Sequence, residues 1–401
     1  MARWLALLPL FLHLAFPSAV PSVSFSTELA NVQFTYQFGG DFSVQAEISP
    51  DTQLSQANLL IQSGDNAVQS FPLSLSQQTL LSGSFSTSQL KAQPFSRLYY
   101  WFELTSVDGT SITTPAYWVD YSDNRYSWQD SESKWFVIHW VDGKAPSGDE
   151  LQQLALNGLK QATQWVPVSP NLPVNIYVYP NQAALQAVLD AADPAGIAGE
   201  AFPLNNLILV SASADLNSTQ DLERQIPHEL THLLEYQVTQ QNYSAAPAWL
   251  MEGLAVNAET YPNADYARVL EKAASASDWI PLEKLCSPFA ADSATSTQSY
   301  AESGAFVKYL ATAYGTERIL SLLQASASGL DCSHQVENTY GQSLDALEQS
   351  WHDTLQSQSH SGTNYWRYWP IYVAILVLLG ILFVARRIFE KKREENGRRG
   401  E

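Results

Sequence analysis

The segment His228-Glu229-Leu230-Thr231-His232 restricts this chain more than any other feature. Two histidines four residues apart can share one metal ion when the backbone between them is helical, because that spacing sets both imidazoles on a single helical face. The segment therefore demands a helix, a face of that helix that lines a site, and a second element to complete the site. Glu229, beside the first histidine, is placed to work on a water held by such a metal. Glu252, twenty residues beyond His232 in Trp249-Leu250-Met251-Glu252-Gly253, is the natural third ligand. It stands at the onset of an otherwise apolar helical pattern, where a carboxylate is costly unless paired or metal-bound. Three protein ligands leave one position open for water, which separates a catalytic zinc site from a closed structural one. The other histidines, His13, His139, His334, His352 and His360, are scattered without metal-like spacing.

The ends of the chain predict where this chemistry takes place. Arg3 followed by Trp4-Leu5-Ala6-Leu7-Leu8-Pro9-Leu10-Phe11-Leu12 and the small residues Ser18 and Ala19 reads as a signal peptide over 1–19. Residues 369–385 are almost wholly apolar, preceded by Tyr365-Trp366-Arg367-Tyr368 and followed by Arg386-Arg387 and Lys391-Lys392-Arg393. Length, aromatic flank and basic flank predict one membrane-spanning helix, with residues 386–401 as a basic cytoplasmic tail and the rest outside the cell membrane. Residues 357–368, rich in Ser and Gln, read as a stalk. His228 to His232 lie among Gln220, Asp221, Glu223 and Arg224, which excludes a site within an apolar span.

Charge narrows the partners. The formal charge is −19. The tail from Arg386 holds seven basic and four acidic residues, and setting these and Arg3 aside leaves 13 basic against 36 acidic, near −23. Such a surface repels nucleic acid and other polyanions. Cys286 and Cys332 are the only cysteines, and an oxidising compartment allows them to pair.

Hydrophobic periodicity changes near Trp128. Before it, Val32, Phe34, Tyr36 and Phe38 alternate with polar residues, Gly39-Gly40-Asp41 turns the chain, and Phe42, Val44, Ala46 and Ile48 alternate again. Tyr100, Phe102 and Leu104 repeat the pattern before a turn at Asp108-Gly109, so residues 22–125 read as an all-β sandwich of immunoglobulin or fibronectin type. After Trp128, residues 135–140, 174–179 and 207–210 read as strands. Residues 151–165 and 183–192 read as helices, the whole forming an α+β lobe that leads into the site helix.

His228-Glu229-Leu230-Thr231-His232 followed by Trp249-Leu250-Met251-Glu252-Gly253 resembles the gluzincin metallopeptidases, and within them the peptidase MA-like family. The likeness spans about residues 134–356 and includes a tyrosine-bearing helix, Tyr300 to Leu310, and a closing stretch from Gly341 to Trp351. It implies an α+β lobe and a helical lobe with a cleft between them, one zinc ion held by His228, His232 and Glu252, and Glu229 as general base. Tyr300 would steady the oxyanion, with Tyr309 and Tyr314 nearby, although Tyr309 falls on an apolar stripe with Phe306 and Leu310 that reads as core. The strand Leu207 to Val210 would lie along the cleft and pair with an extended peptide, or equally be an ordinary core strand.

Two positions depart from the pattern. Pro227 either begins the site helix or interrupts a longer one starting near Thr219. Val256 stands where some gluzincins carry an acid that orients a histidine, leaving Asn257, Glu259 or a residue from elsewhere in the chain to do so. The expected function is a membrane-anchored zinc metallopeptidase acting on a peptide or protein. The rival is a cell-surface binding or adhesion protein whose sandwich recognises a partner and whose zinc domain is structural or inactive.

Overall fold

The computed structural model describes residues 29–50, 53–64, 66–77, 79–90, 92, 94–141, 146–171, 173–189, 199–212, 218–289, 293–361 and 365–397. The segment read as a signal peptide, 1–19, lies outside them. The chain divides into two units after Ser127.

Alternating apolar residues build the first unit from β1 (Ala30–Tyr36), β2 (Asp41–Glu47), β3 (Leu54–Ser63), β4 (Gln69–Pro72), β5 (Ser74–Ser76), β6 (Leu80–Ser86), β7 (Ser96–Ser106), β8 (Ser111–Thr113) and β9 (Tyr117–Tyr121). One sheet has the order β1-β2-β6-β5; the other runs β4-β3-β7-β8, with β9 also on β7. Every pairing is antiparallel. Phe42, Val44 and Ala46 of β2 and Leu98, Tyr100, Phe102 and Leu104 of β7 are buried, as period-two alternation requires. Phe34 meets Tyr100 at 4.7 Å between ring centroids and Phe42 meets Phe71 at 5.5 Å, so the sheets pack face to face. The order corresponds to an immunoglobulin constant-type sandwich with an added strand. Gly39 and Gly109 take φ of +71° and +88° in the two expected turns. One helical turn, α1 (Thr87–Leu90), interrupts the strands.

The second unit opens with β10 (Trp128–Glu132) and β11 (Phe136–Val141), then α2 (Gly148–Trp165), β12 (Val174–Tyr179), α3 (Gln182–Gln186), β13 (Gly199–Phe202) and β14 (Leu207–Ser211). These strands form one sheet, β10-β11-β12-β14-β13, parallel at its centre and antiparallel at both ends. A capping box between Ser147 and Glu150 starts α2. Of the helix expected over 183–192, α3 runs to Gln186 and residues 187–189 are not helical; Leu185 on α3 and Val188 just after it are buried. Residues 190–198 lie outside the described ones.

The helical part comprises α4 (Ser218–Thr239), α5 (Ala248–Ala258), α6 (Ala264–Ala276), α7 (Ser293–Tyr314), α8 (Thr316–Ser326), α9 (Cys332–Tyr340), α10 (Leu344–Ser361) and α11 (Tyr365–Gly397). Pro227 sits inside α4, so the longer of the two expected helices forms. It does so where α2 passes closest: a Cβ on Gly158 would stand 2.9 Å from Ile226 Cγ2 and 3.2 Å from the Pro227 nitrogen. The two cysteines are joined in a disulfide that ties the turn before Ser287 to α9. The stretch read as a stalk is helical up to Ser361 and again from Tyr365. Ser and Gln are tolerated in helices, and the first glycine after Gly341 is Gly362. Within α11, Trp369–Ile388 is long and apolar enough to cross a membrane, by length and composition.

Candidate metal centre

The helical period of α4 brings His228 and His232 onto one face, their ring centroids 5.1 Å apart. The start of α5 docks opposite and supplies Glu252. Its Oε2 lies 3.4 Å from His228 Nε2 and 3.5 Å from His232 Nε2, and one ligand atom from each of the three residues lies within 4.8 Å of the others. Two atoms bound to one tetrahedral zinc at the usual 2.0–2.2 Å stand about 3.4 Å apart, so the spacing suits that ion. Glu252 Oε2 is buried and makes no hydrogen bond, although two imidazole nitrogens face it. A carboxylate oxygen so placed fits a cation between the three groups.

The outer nitrogens are also held. His228 Nδ1 lies 3.1 Å from Glu259 Oε1, and His232 Nδ1 lies 2.9 Å from Glu235 Oε2. Of the two residues expected to replace the missing acid at Val256, Glu259 is the one that reaches a histidine. Asn257 instead donates to the carbonyls of Gly253 and Gly304, clasping α5 to α7. Glu235 was not anticipated; its position three residues after His232 on one helix was the available signal.

Electrostatics follow from this crowding in the metal-free protein. Burial disfavours a charged His228, but Glu252, Glu259 and Glu229 outweigh it and push its pKa up to about 10. Burial likewise opposes ionisation of Glu252, yet His232 and His228 hold it well below the ordinary carboxylate range. Glu229 and Glu235 go the other way because burial dominates, Glu235 being pushed up to about 7.

Among the tyrosines, Tyr300 faces the site. Its ring is 6.2 Å from that of His228 and 5.2 Å from Phe289. Its phenol is raised far above the usual value, first by the charge of Glu252, then by burial and by Glu229. Tyr309 packs on Phe306, and Tyr314 on Tyr340, away from the histidines. Tyr266 of α6, which sequence reasoning missed, also senses Glu259 and Glu252, after burial, and is raised.

Residues 154–357 match the family model of the Peptidase MA superfamily. The chain belongs to that superfamily. No curated protein matches it. Among solved structures it is similar to a mutant of an M1 zinc metallopeptidase from Deinococcus radiodurans, with 11% identity over 79% of this chain and 90% of that one at a TM-score of 0.37. Another structure of an M1 zinc metallopeptidase from that organism has 13% identity over 74% of this chain and 61% of that one, at a TM-score of 0.32.

In this Peptidase MA superfamily chain β14 takes the second of its two expected roles, that of a core strand. β14 is enclosed between β12 and β13, its backbone engaged on both sides, because β13 folds back antiparallel upon it. The edge strand is β13, with Gly199 against the catalytic candidate: a Cβ there would stand 2.6 Å from Glu229 Oε1. β14 serves instead to place α4. The Gln225 side chain accepts from the Ser211 amide at 3.0 Å and donates to its carbonyl at 3.2 Å, three residues before His228.

Proposed function

We propose that this protein is a membrane-anchored, extracytoplasmic zinc peptidase. The observation that carries the reading is the convergence of His228 Nε2, His232 Nε2 and Glu252 Oε2 on one point, with the Glu229 carboxylate on the same helix free of metal-ligand duty. Zinc, which His228, His232 and Glu252 would hold, would supply a Lewis acid and a more acidic water. Glu229 takes the proton during attack on the scissile carbonyl and passes it to the leaving amine. Its burial shields the carboxylate from bulk water during those steps. Tyr300 donates its O–H to the oxygen that becomes negative. β13, the outer strand of the described sheet and the one beside Glu229, is the element with which an extended peptide would pair.

Glu229→Gln tests this reading, since it keeps size and removes the proton acceptor. The variant is expected to fold, to retain zinc near wild-type stoichiometry, and to lose about 10²–10⁴-fold in hydrolysis of a peptide library. His232→Ala is expected to lose both metal and activity. Undiminished hydrolysis by zinc-loaded Glu229→Gln overturns the mechanism, and a wild type that cleaves nothing favours a binding role for the sandwich.

A further inference from the structure

His228 and His232 are oriented by carboxylates of different origin. Glu259, the partner of His228, lies 31 residues along the chain at the end of α5, so that contact exists only once α5 has docked on α4. Glu235, the partner of His232, lies on α4 itself, one turn further on.

Glu235 is an unusual group to find there. It is fully buried, its Oε2 accepts from His232 Nδ1, and its Oε1 has no hydrogen-bond partner. Burial of a carboxylate is unfavourable unless partners compensate, and here one oxygen goes without any. The side chain therefore does little for stability that an apolar residue of similar size could not do. What it does accomplish is directional. A carboxylate only accepts, so it requires the hydrogen of the imidazole on Nδ1 and leaves the lone pair on Nε2, the nitrogen that lies 3.5 Å from Glu252 Oε2.

We infer that Glu235 is a positioning residue that sets His232 as an Nε2 ligand from within α4, so that one imidazole is aimed at the metal independently of α5. This inference rests on the reading of the site as a zinc centre. It assigns unlike roles to the two outer carboxylates. Glu259 couples His228 to helix docking, whereas Glu235 prepares His232 locally.

The test is competition of the full-length protein against a zinc chelator of known affinity, with the unfolding midpoint of the metal-free form measured alongside. Glu235→Gln removes the charge but leaves an oxygen that can accept, and is expected to weaken zinc about 10-fold; Glu235→Met removes the acceptor and should approach 100-fold. In both, the metal-free midpoint should equal or exceed that of the wild type. Equal zinc affinity in all three proteins overturns the inference, as does a metal-free midpoint that falls in step with affinity, which would make Glu235 merely structural. A wild type that binds no zinc sinks the metal-centre reading itself. Should both variants fail to fold, magnetic resonance of isotope-labelled histidine in the zinc-loaded wild type decides: His232 protonated on Nδ1 and metal-bound through Nε2 is expected, and ligation through Nδ1 overturns the proposal.

Discussion

Gly199 and Glu229 meet so closely that the identity of one sets the position of the other. A methyl group at Gly199 would stand 2.6 Å from Glu229 Oε1, 2.9 Å from its Cγ and 3.0 Å from its Cδ. The clashing atoms are the end of a flexible side chain, so the fold can accommodate the methyl cheaply; what gives way is the proposed base. Gly199→Ala is therefore expected to fold and bind zinc normally but to lose on the order of 10²-fold in turnover, the scale of a misplacement near 1 Å. Turnover equal to wild type, at equal zinc loading, would disprove the assignment of Glu229. The grouping of His228, His232 and Glu252 was readable from residue type and spacing, because a metal site needs particular donors at particular helical intervals. Glu235, Glu259 and Tyr266 were not readable in the same way. A Glu or Tyr on a helix is ordinarily a solvated residue, and burial against an imidazole is a product of packing.

Helices α5 and α7 hold the site through close glycine contacts as well as through large side chains, Trp249 meeting Phe306 at 5.0 Å between ring centroids. A Cβ on Gly253 would stand 2.4 Å from Val307 Cγ2 and 2.6 Å from the Ser303 carbonyl oxygen, and one on Gly304 would stand 2.6 Å from Val256 Cγ1. Helices α5 and α7 thus touch backbone to side chain, with Asn257 bridging them. Glu252 and Tyr300 are fixed relative to each other by that contact. Because backbone cannot yield as a side-chain tip can, Gly253→Ala is expected to destabilise the protein by about 1–3 kcal/mol, read as a lower urea midpoint, and to weaken zinc binding through displaced Glu252. An unchanged midpoint would show that the helices separate freely. At this scale the sequence located most elements, because periods of 2 and near 3.6 mark strands and helices directly. It could not choose between a cleft strand and a core strand for β14, since hydrophobic strands read alike whether they lie at an edge or inside a sheet.

In the whole molecule, the helix Trp369–Ile388 has every apolar residue from Ile371 to Val384 outside the protein core, as a lipid-facing span requires. With basic residues following it, the sandwich and metal centre are expected outside the cell and the C-terminus inside. Protease added to intact cells should remove both while sparing a C-terminal tag; a digested tag would reverse the orientation. The sequence by itself pointed to the sandwich followed by a zinc-peptidase-like domain, to the grouping of His228, His232 and Glu252, and to the apolar helix, since each is written in local spacing or in one contiguous run. The tertiary structure alone decided which carboxylate orients each histidine, which tyrosine faces the site, that Cys286 pairs with Cys332, and that β13 is the edge. Most of those depend on residues far apart in the chain arriving at the same place, which no local pattern encodes; Glu235, three residues from His232, is the exception, and there it was burial that spacing could not show.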